Sequence, residues 1–274
     1  MKRVILDEED LAEKSPLFKG RFGKILARFT LILFGVTRVN KVYGELCDLE
    51  GIAFTKAWLE RTGVSYVVEN EEILDNLPNG AFITVSNHPF GGIDGVILVD
   101  LMARKRADYK YMVNSILLHV RTLSKQFVGV KPTTPNSGSS IENTSGLKQT
   151  LSHIQNGGSM GFFPAGAVSG FYENSSQITE KEWQPTIIRL IQKSRVTVVP
   201  IHIHGQNSWF FNFLGRINWQ LRTTRLAHEV LNKRGLKVRL TVGKPISWEE
   251  QSKYQKVEEL AAFLRSKTEA LAQK

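Results

Sequence analysis

Along this chain of 274 residues, segments with a strand-like pattern of apolar residues alternate with segments that have a helical one. Short runs rich in β-branched and aromatic residues predict strands, and apolar residues at helical spacing predict the helices between them. The predicted strands cover residues 64–68, 81–86, 109–113, 127–130, 160–163, 196–203 and 236–242. The predicted helices cover residues 45–61, 95–104, 146–155, 186–193 and 255–272. Alternation of this kind predicts an α/β fold, with a mixed, largely parallel sheet flanked by helices.

The first part of the chain has a different character, because its helical pattern precedes all the predicted strands. Residues 16–36 predict one amphipathic helix, and Arg21, Lys24 and Arg28 fall on one side of it. Its apolar positions are Phe18, Phe22, Ile25, Phe29, Ile32 and Leu33. Two interpretations stay open. The helix lies in a lipid headgroup layer with its apolar side down, or it packs on the domain with a solvated basic face.

Two further segments stand out from this pattern. Residues 132–145 are rich in Ser, Thr, Asn, Gly and Pro and predict a long loop. The aromatic cluster of Trp209, Phe210, Phe211 and Phe213 is typical of a membrane-facing or acyl-binding loop, and equally of core packing.

Charge indicates the kind of partner. There are 36 Lys and Arg against 26 Asp and Glu, a net charge of +10, which favours an anionic bilayer, nucleic acid or an acidic carrier. The basic residues are spread along the chain, without a helix-turn-helix, zinc-finger or RNA-recognition signature. We therefore expect no nucleic-acid partner.

Several features indicate the compartment. Cys47 is the only cysteine, which suits a reducing environment and a buried structural thiol. The first 14 residues include several Asp and Glu, where a signal peptide would carry its apolar run. No apolar run approaches the ~20 residues of a bilayer span. We expect a peripheral protein on the cytoplasmic face of a membrane.

Candidate chemistry lies at the end of the second predicted strand. His88 follows this strand, and Asp94 comes shortly afterwards, across Gly91 and Gly92. Strand ends of α/β sheets face ligand crevices, and a carboxylate at this distance in the chain orients an imidazole that takes up a proton. The structural alternative is a turn histidine, with Asp94 only capping the next helix.

These residues resemble the first motif of the glycerolipid acyltransferase superfamily, the lysophosphatidic acid acyltransferase-like enzymes. Asn87, His88 and Asp94 match the residue types of Asn-His-x-x-x-x-Asp, although five residues rather than four separate His88 from Asp94. The string from His88 to Gly95 is more similar to the bacterial hemolysin-like branch, which includes enzymes that O-acylate lyso-ornithine or lyso-glycine lipids. Gly91 and Gly92 provide the flexibility to absorb the additional residue.

Further blocks follow in the family's order. Asn114 begins a stretch that resembles the second block, and residues 162–169 resemble Phe-Pro-Glu-Gly-Thr-Arg-Ser, the third. In the third block Pro164, Gly166 and Ser169 are retained, whereas Ala165, Ala167 and Val168 replace Glu, Thr and Arg. Residues 198–201 resemble the fourth block.

The resemblance implies an acyltransferase-like fold, with a membrane-association segment at 1–44 and a catalytic domain at 45–274. His88 would be the general base and Asp94 its orienting partner. The acyl donor would be acyl carrier protein or coenzyme A, with no other cofactor and no metal. Backbone N–H groups near Gly166 would bind the oxyanion. The expected substrate-binding residues are Asn87, Gly91, Gly92, Asn114, Phe163, Pro164, Ala165, Gly166 and Ser169.

Val168 bears on the acceptor, because an arginine at this position is thought to hold a glycerol phosphate. Unless Arg189 or Arg222 takes over this contact, the substitution favours a lyso-aminolipid over lysophosphatidic acid. Two other interpretations are weighed. His202 and His204 have the spacing of zinc ligands, and a non-enzymatic, membrane-active protein would need neither His88 nor Asp94.

Overall fold

The computed structural model describes residues 2–131, 141–172 and 175–273. Its seven strands form one sheet in the order β1-β7-β6-β2-β5-β3-β4. Neighbouring strands pair in parallel except β6 and β7, which are antiparallel. The strands are β1 Ser65–Glu69, β2 Phe82–Ser86, β3 Lys110–Asn114, β4 Phe127–Val130, β5 Met160–Phe162, β6 Thr197–Ile203 and β7 Lys237–Val242. The predicted fold class and all seven predicted strands are confirmed.

Helices cover both faces of the sheet, so that the core forms two layers. Helices α3, α4 and α6 pack on one face, whereas α7, α8 and α13 pack on the other. The helices are α1 Glu8–Lys14, α2 Gly20–Leu33, α3 Val36–Leu46, α4 Gly51–Thr62, α5 Glu72–Asp75, α6 Gly92–Lys105, α7 Ile141–Gln155, α8 Pro185–Ser194, α9 Trp209–Ile217, α10 Trp219–Thr224, α11 Leu226–Leu231, α12 Trp248–Gln251 and α13 Val257–Glu269. Short 3-10 turns occur at Pro16–Phe18, Ser115–His119, Arg121–Leu123 and Ala270–Gln273.

The central strand β2 and four other strands end at the same edge of the sheet. All residues of β2 are buried, as expected for a parallel strand covered on both faces. β2, β3, β4, β5 and β6 run in the same direction, so residues that follow their carboxyl ends meet at one edge. Because β7 is antiparallel to β6, its first residue reaches that edge as well.

Two predicted helices are wrong in their extent. The expected single helix at 16–36 is a 3-10 turn followed by α2, which ends before Gly35. Gly35 has a φ of 77°, a left-handed conformation that interrupts the helix and lets α3 begin in a new direction. Likewise, the predicted helix at 45–61 is divided between α3 and α4, and Gly51 has a φ of 54° at the start of α4.

The predicted loop at 132–145 is also partly wrong. Its residues 132–140 lie outside the described residues, whereas 141–145 form the first turn of α7. Cys47 is buried, as expected. The proposed division at residue 44 falls inside α3, where Val42 and Tyr43 belong to the main core.

The amphipathic helix α2 packs against the protein along one narrow face. Its buried positions are Gly23, Ala27 and Leu31, which recur every fourth residue. The large apolar side chains point away from the protein, with Phe22 exposed by 86% and Phe29 by 60%. None of the helices in the described ranges combines the length and apolar character required to cross a bilayer.

Candidate active site

His88 and Asp94 meet across the turn between β2 and α6. Nδ1 of His88 lies 2.9 Å from Oδ2 of Asp94. The same oxygen accepts hydrogen bonds from the backbone N–H groups of Phe90 at 2.8 Å and Gly91 at 2.9 Å. The Asp94 side chain is fully buried, whereas 17% of the His88 side chain is exposed. The carboxylate is therefore fixed by the turn, and the imidazole lies between it and open space.

Gly91 makes this turn possible. It has φ 85° and ψ −123°, backbone angles that residues with a Cβ rarely adopt. A Cβ at this position would also lie 3.3 Å from both Leu226 and Val168. The residue that lengthens the motif relative to the family pattern is accommodated in this turn, so His88 and Asp94 still meet.

The imidazole is also held from the side of β5. Its ring stacks on Phe163, with ring centroids 3.8 Å apart. Tyr111 packs on the same phenyl ring at 4.7 Å, and its hydroxyl lies 3.0 Å from Oγ of Ser86. These contacts fix the ring plane of His88, and they come from three neighbouring strands.

The His88 backbone is held by two groups distant in sequence. Its N–H donates to Oε1 of Glu180 at 3.0 Å, and its carbonyl accepts from the Ser169 N–H at 2.8 Å. The second oxygen of Glu180 accepts a hydrogen bond from Trp183 Nε1. Burial raises the pKa of Glu180 to about 7, against the lowering effect of these hydrogen bonds. Sequence reasoning missed Glu180, because a single glutamate outside any motif gives no signal.

An apolar cavity of about 280 Å³ opens beside His88. Among the expected site residues, those that line it are His88, Gly91, Gly92, Asn114, Phe163 and Gly166. Most of its wall is formed by apolar residues that the sequence did not single out, namely Ile5, Val39, Phe54, Trp58, Val96, Met112, Val113, Leu117, Val120, Leu123, Phe127, Val130, Phe162, Ile187 and Val230. Such a cavity suits an extended hydrocarbon chain better than a polar metabolite.

The remaining expected residues lie behind this wall. The amide of Asn87 makes a pair of hydrogen bonds with the backbone of Ile203, at 2.8 and 2.7 Å, which joins the catalytic turn to β6. Pro164 and Ala165 accept hydrogen bonds from Gln184 through their carbonyl groups. Together with the Ser169 contact to His88, these bonds favour positioning roles for the four residues over direct contact with substrate.

Gly166 does not offer its own N–H as an oxyanion donor in this conformation. The group donates to the Phe163 carbonyl at 2.9 Å. Gly166 nevertheless needs a φ of 64°, and a Cβ there would collide with the Gln184 amide. The glycine therefore shapes the tight turn that follows Phe163.

The structure also shows the surroundings of Val168, which replaces the arginine of the family's third block. Val168 is buried, and its carbonyl accepts a hydrogen bond from the guanidinium of Arg222 at 3.1 Å. The other partners of this buried guanidinium are the Ser169 carbonyl and the Tyr172 hydroxyl. The guanidinium of Arg222 is thus hydrogen-bonded within the protein, and Arg222 does not line the cavity. Arg189 is exposed on α8.

His202 and His204 have the spacing of zinc ligands. The rings of His202 and His204 are 4.8 Å apart, but nowhere in the described ranges do three His, Cys, Asp or Glu side chains form a metal-binding group. His204 contacts Thr241 and Arg239 through its two ring nitrogens. Burial, reinforced by neighbouring positive charge, lowers the pKa of His202 to about 4, which keeps the ring neutral at physiological pH.

Comparison with known proteins identifies the chain as an acyltransferase. The chain belongs to the family described as Acyltransferase, whose model matches residues 9–274. It is 31% identical over 236 residues to a lyso-glycine lipid O-acyltransferase of Bacteroides thetaiotaomicron, covering 83% of this chain and 82% of the relative. A lyso-glycine lipid O-acyltransferase of Phocaeicola vulgatus is 29% identical over 223 residues, covering 78% of this chain and 76% of that protein.

A solved structure shares the fold. The crystal structure of the 1-acyl-sn-glycerophosphate (LPA) acyltransferase PlsC from Thermotoga maritima superposes with a TM-score of 0.53. The match covers 91% of this chain and 88% of that chain, at 16% identity. The shared fold confirms the architecture expected from the sequence.

Proposed function

We propose that this acyltransferase moves a fatty acyl group from an acyl thioester to the hydroxyl of a lyso-lipid of the aminolipid type. The observation that carries the proposal is the His88–Asp94 pair, 2.9 Å apart, with His88 in the wall of an apolar cavity. In this proposal His88 acts as a general base beside a compartment for hydrocarbon, as acyl transfer to a lipid requires.

Asp94 faces Nδ1 of His88, which leaves Nε2 for the acceptor hydroxyl. His88 takes the hydroxyl proton while the oxygen attacks the thioester carbonyl, and Asp94 stabilises the imidazolium. As the tetrahedral intermediate collapses, the C–S bond breaks and the imidazolium protonates the departing sulfur. The proton thus passes from the hydroxyl through His88 to the thiol, and the acyl group passes from sulfur to oxygen. No acyl-enzyme forms.

The environment of Val168 supports the choice of acceptor. The side chain at this position carries no charge, and the nearby guanidinium of Arg222 is occupied by two carbonyls and a hydroxyl. Since Val168 is uncharged and Arg222 is bound to groups of the protein, a glycerol phosphate group would lose the charge-assisted contacts of an arginine at position 168. Both named relatives are described as acting on lyso-glycine lipids, which fits an acceptor without phosphate.

The outward face of α2 supports membrane association. Phe22, Ile25 and Phe29 are exposed by 60% or more, whereas the small residues of the helix face the protein. Trp209, Phe213 and Trp219 add a second exposed aromatic surface on α9 and α10. Such faces bury their apolar area in the boundary region of a bilayer. The enzyme would then work as a peripheral protein at the cytoplasmic face of a membrane.

The test is acyl transfer from labelled acyl carrier protein and acyl-coenzyme A to lyso-glycine lipid, lyso-ornithine lipid and lysophosphatidic acid. We expect transfer to the aminolipids, and a fall in kcat of at least about 10³ in His88→Ala. Asp94→Asn should lower kcat with little change in KM, since Asp94 acts through His88. Transfer to lysophosphatidic acid alone would refute the acceptor assignment, and a fully active His88→Ala would remove His88 from the mechanism.

A further inference from the structure

A second cavity lies at the same edge of the sheet, and the proposed reaction leaves it without a role. It has a volume of about 660 Å³ and opens between the loop that follows β6 and the turn that joins α11 to β7. We call it the basic cleft. Its lining consists of Phe90, His204, Gly205, Gln206, Ser208, Asn232, Lys233, Arg234, Gly235, Leu236, Lys237 and Arg239.

The charges of the basic cleft all have one sign. Four of its residues are Lys or Arg, and no carboxylate is among the described residues that line it. Lys233 is buried and paired with Glu229 at 2.6 Å, and Arg239 is paired with Glu69 at 3.2 Å. Arg234 and Lys237 are exposed and form no ion pair with the described part of the chain. Two cations are therefore available to a multiply charged anion, beside two that are held in place.

Phe90 connects the basic cleft to the catalytic turn. Its backbone N–H donates to Asp94, while its ring lies below Nζ of Lys233 at 5.7 Å. Gly205 approaches the same ring so closely that a Cβ would collide with it. On the other side of this turn, His88, Gly91 and Gly92 line the apolar cavity. One short turn thus separates a site for hydrocarbon from a site for anions.

This arrangement matches the chemistry of an acyl donor. In acyl-coenzyme A and in acyl carrier protein alike, the thioester joins the acyl chain to a pantetheine arm whose far end carries phosphate. A donor with its carbonyl at His88 and its chain in the apolar cavity has to place that phosphate away from the reaction centre. An aminolipid acceptor has no phosphate of its own, so the donor is the substrate that brings one.

We propose that the basic cleft binds the phosphate of the donor's pantetheine arm, with Arg234 and Lys237 as its principal contacts. The assignment rests on the proposed function, because it takes an acyl thioester as the donor. Lys233 and Arg239 shape the cleft, and their ion pairs with Glu229 and Glu69 hold them in place.

The test compares wild type with the double variant Arg234→Glu/Lys237→Glu. Lys253→Glu serves as the control for a charge reversal outside the cleft, since Lys253 is exposed and does not line it. The donors are acyl-coenzyme A, acyl-3′-dephospho-coenzyme A, acyl carrier protein and an acyl thioester of N-acetylcysteamine, which has no phosphate. We expect KM for the phosphate-bearing donors to rise by roughly tenfold or more in the double variant. Values of kcat, and KM for the N-acetylcysteamine thioester, should stay unchanged.

Each other outcome is decisive. A rise in KM for all four donors, or for none, would overturn the assignment. A rise confined to acyl carrier protein would also overturn it, because it would indicate docking of the protein surface and not of the phosphate. If KM in the double variant rose for acyl-coenzyme A but not for acyl-3′-dephospho-coenzyme A, the contact would belong to the nucleotide phosphate. That result would overturn the pantetheine assignment.

Calorimetric binding of free coenzyme A separates this inference from the proposed function. Binding that weakens in the double variant, but not in Lys253→Glu, would support the phosphate site even if wild type acylated none of the acceptors. Binding that is equal in all three proteins would overturn the site even if acyl transfer were established. Arg234→Gln/Lys237→Gln repeats the measurement without added negative charge, and thermal unfolding verifies that each variant folds.

Discussion

His88 is held by groups that reach it from opposite directions. Asp94 and Phe163 fix its ring, while Glu180 and Ser169 bind its backbone. The carboxyl group of Glu180 belongs to a segment 92 positions away from His88 in the sequence. A base whose ring and backbone are both fixed loses little orientational freedom when the acceptor hydroxyl arrives.

Burial of Glu180 predicts a specific pH dependence of stability. Its pKa rises from 4.5 to about 7 on folding, so between these values the unfolded chain has released a proton that the folded protein retains. The contribution of Glu180 to the free energy of unfolding is therefore complete below its unfolded pKa of 4.5. It is lost as pH rises through about 7. We expect Glu180→Gln to remove this loss, on the order of 2 kcal/mol in the free energy of unfolding between pH 5 and pH 8.

Urea unfolding of wild type and Glu180→Gln at both pH values provides the measurement. The exposed Glu13→Gln is the matched control, and its pH dependence should follow wild type. Identical pH dependence in wild type and Glu180→Gln would show that burial does not perturb this carboxyl group.

At the scale of the element, α6 joins the turn of the proposed base to the wall of the apolar cavity. Asp94 lies in its first turn and fixes the catalytic turn, while Gly92, Gly95 and Val96 line the apolar cavity. A Cβ at Gly95 would meet no atom within 4 Å, so this glycine leaves space next to the reaction centre. In the proposed reaction, this helix would set the position of the acyl chain relative to His88.

Filling this space should shorten the preferred acyl chain. Gly95→Leu introduces a side chain into the cavity without a clash at Cβ and removes a glycine from a helix, which by itself favours stability by about 1 kcal/mol. Each methylene that is excluded costs ~0.8 kcal/mol, so exclusion of two would lower kcat/KM for long chains roughly tenfold. Transfer rates across donors of increasing chain length, for wild type and Gly95→Leu, measure the shift.

Gly80→Leu is the control for this measurement, since a Cβ at Gly80 also meets open space and Gly80 lies outside the cavity wall. The same loss of activity at every chain length in Gly95→Leu would contradict a role of the cavity in chain recognition.

At the scale of the whole molecule, both the net charge and the exposed apolar surface favour binding to a membrane. The net charge is +10, and large apolar side chains stand exposed on α2, α9 and α10. The charge would draw the protein to an anionic bilayer, while the apolar faces would hold it there. The two contributions are separable, because salt screens only the first.

We therefore expect binding to vesicles of anionic lipid to weaken between low and physiological salt, and to be weaker with neutral lipid at every salt concentration. Phe29→Glu places a charge on the apolar face of α2 and should reduce binding under all of these conditions. Ala262→Glu introduces the same charge on an exposed position of α13 and should bind almost as wild type does. Co-sedimentation with vesicles measures this, and equal binding of both variants would exclude α2 from the contact.

The elements of this fold and the contact between His88 and Asp94 were predictable because both depend on short stretches of sequence. Strand and helix patterns are local, and His88 and Asp94 belong to the same turn. The tertiary structure alone decided that β7 inserts between β1 and β6, that Glu180 contacts His88 across 92 positions, and that Ile5 joins the cavity wall. Such contacts depend on how distant segments pack, and hydrophobic periodicity determines which face of an element is buried without determining its neighbour.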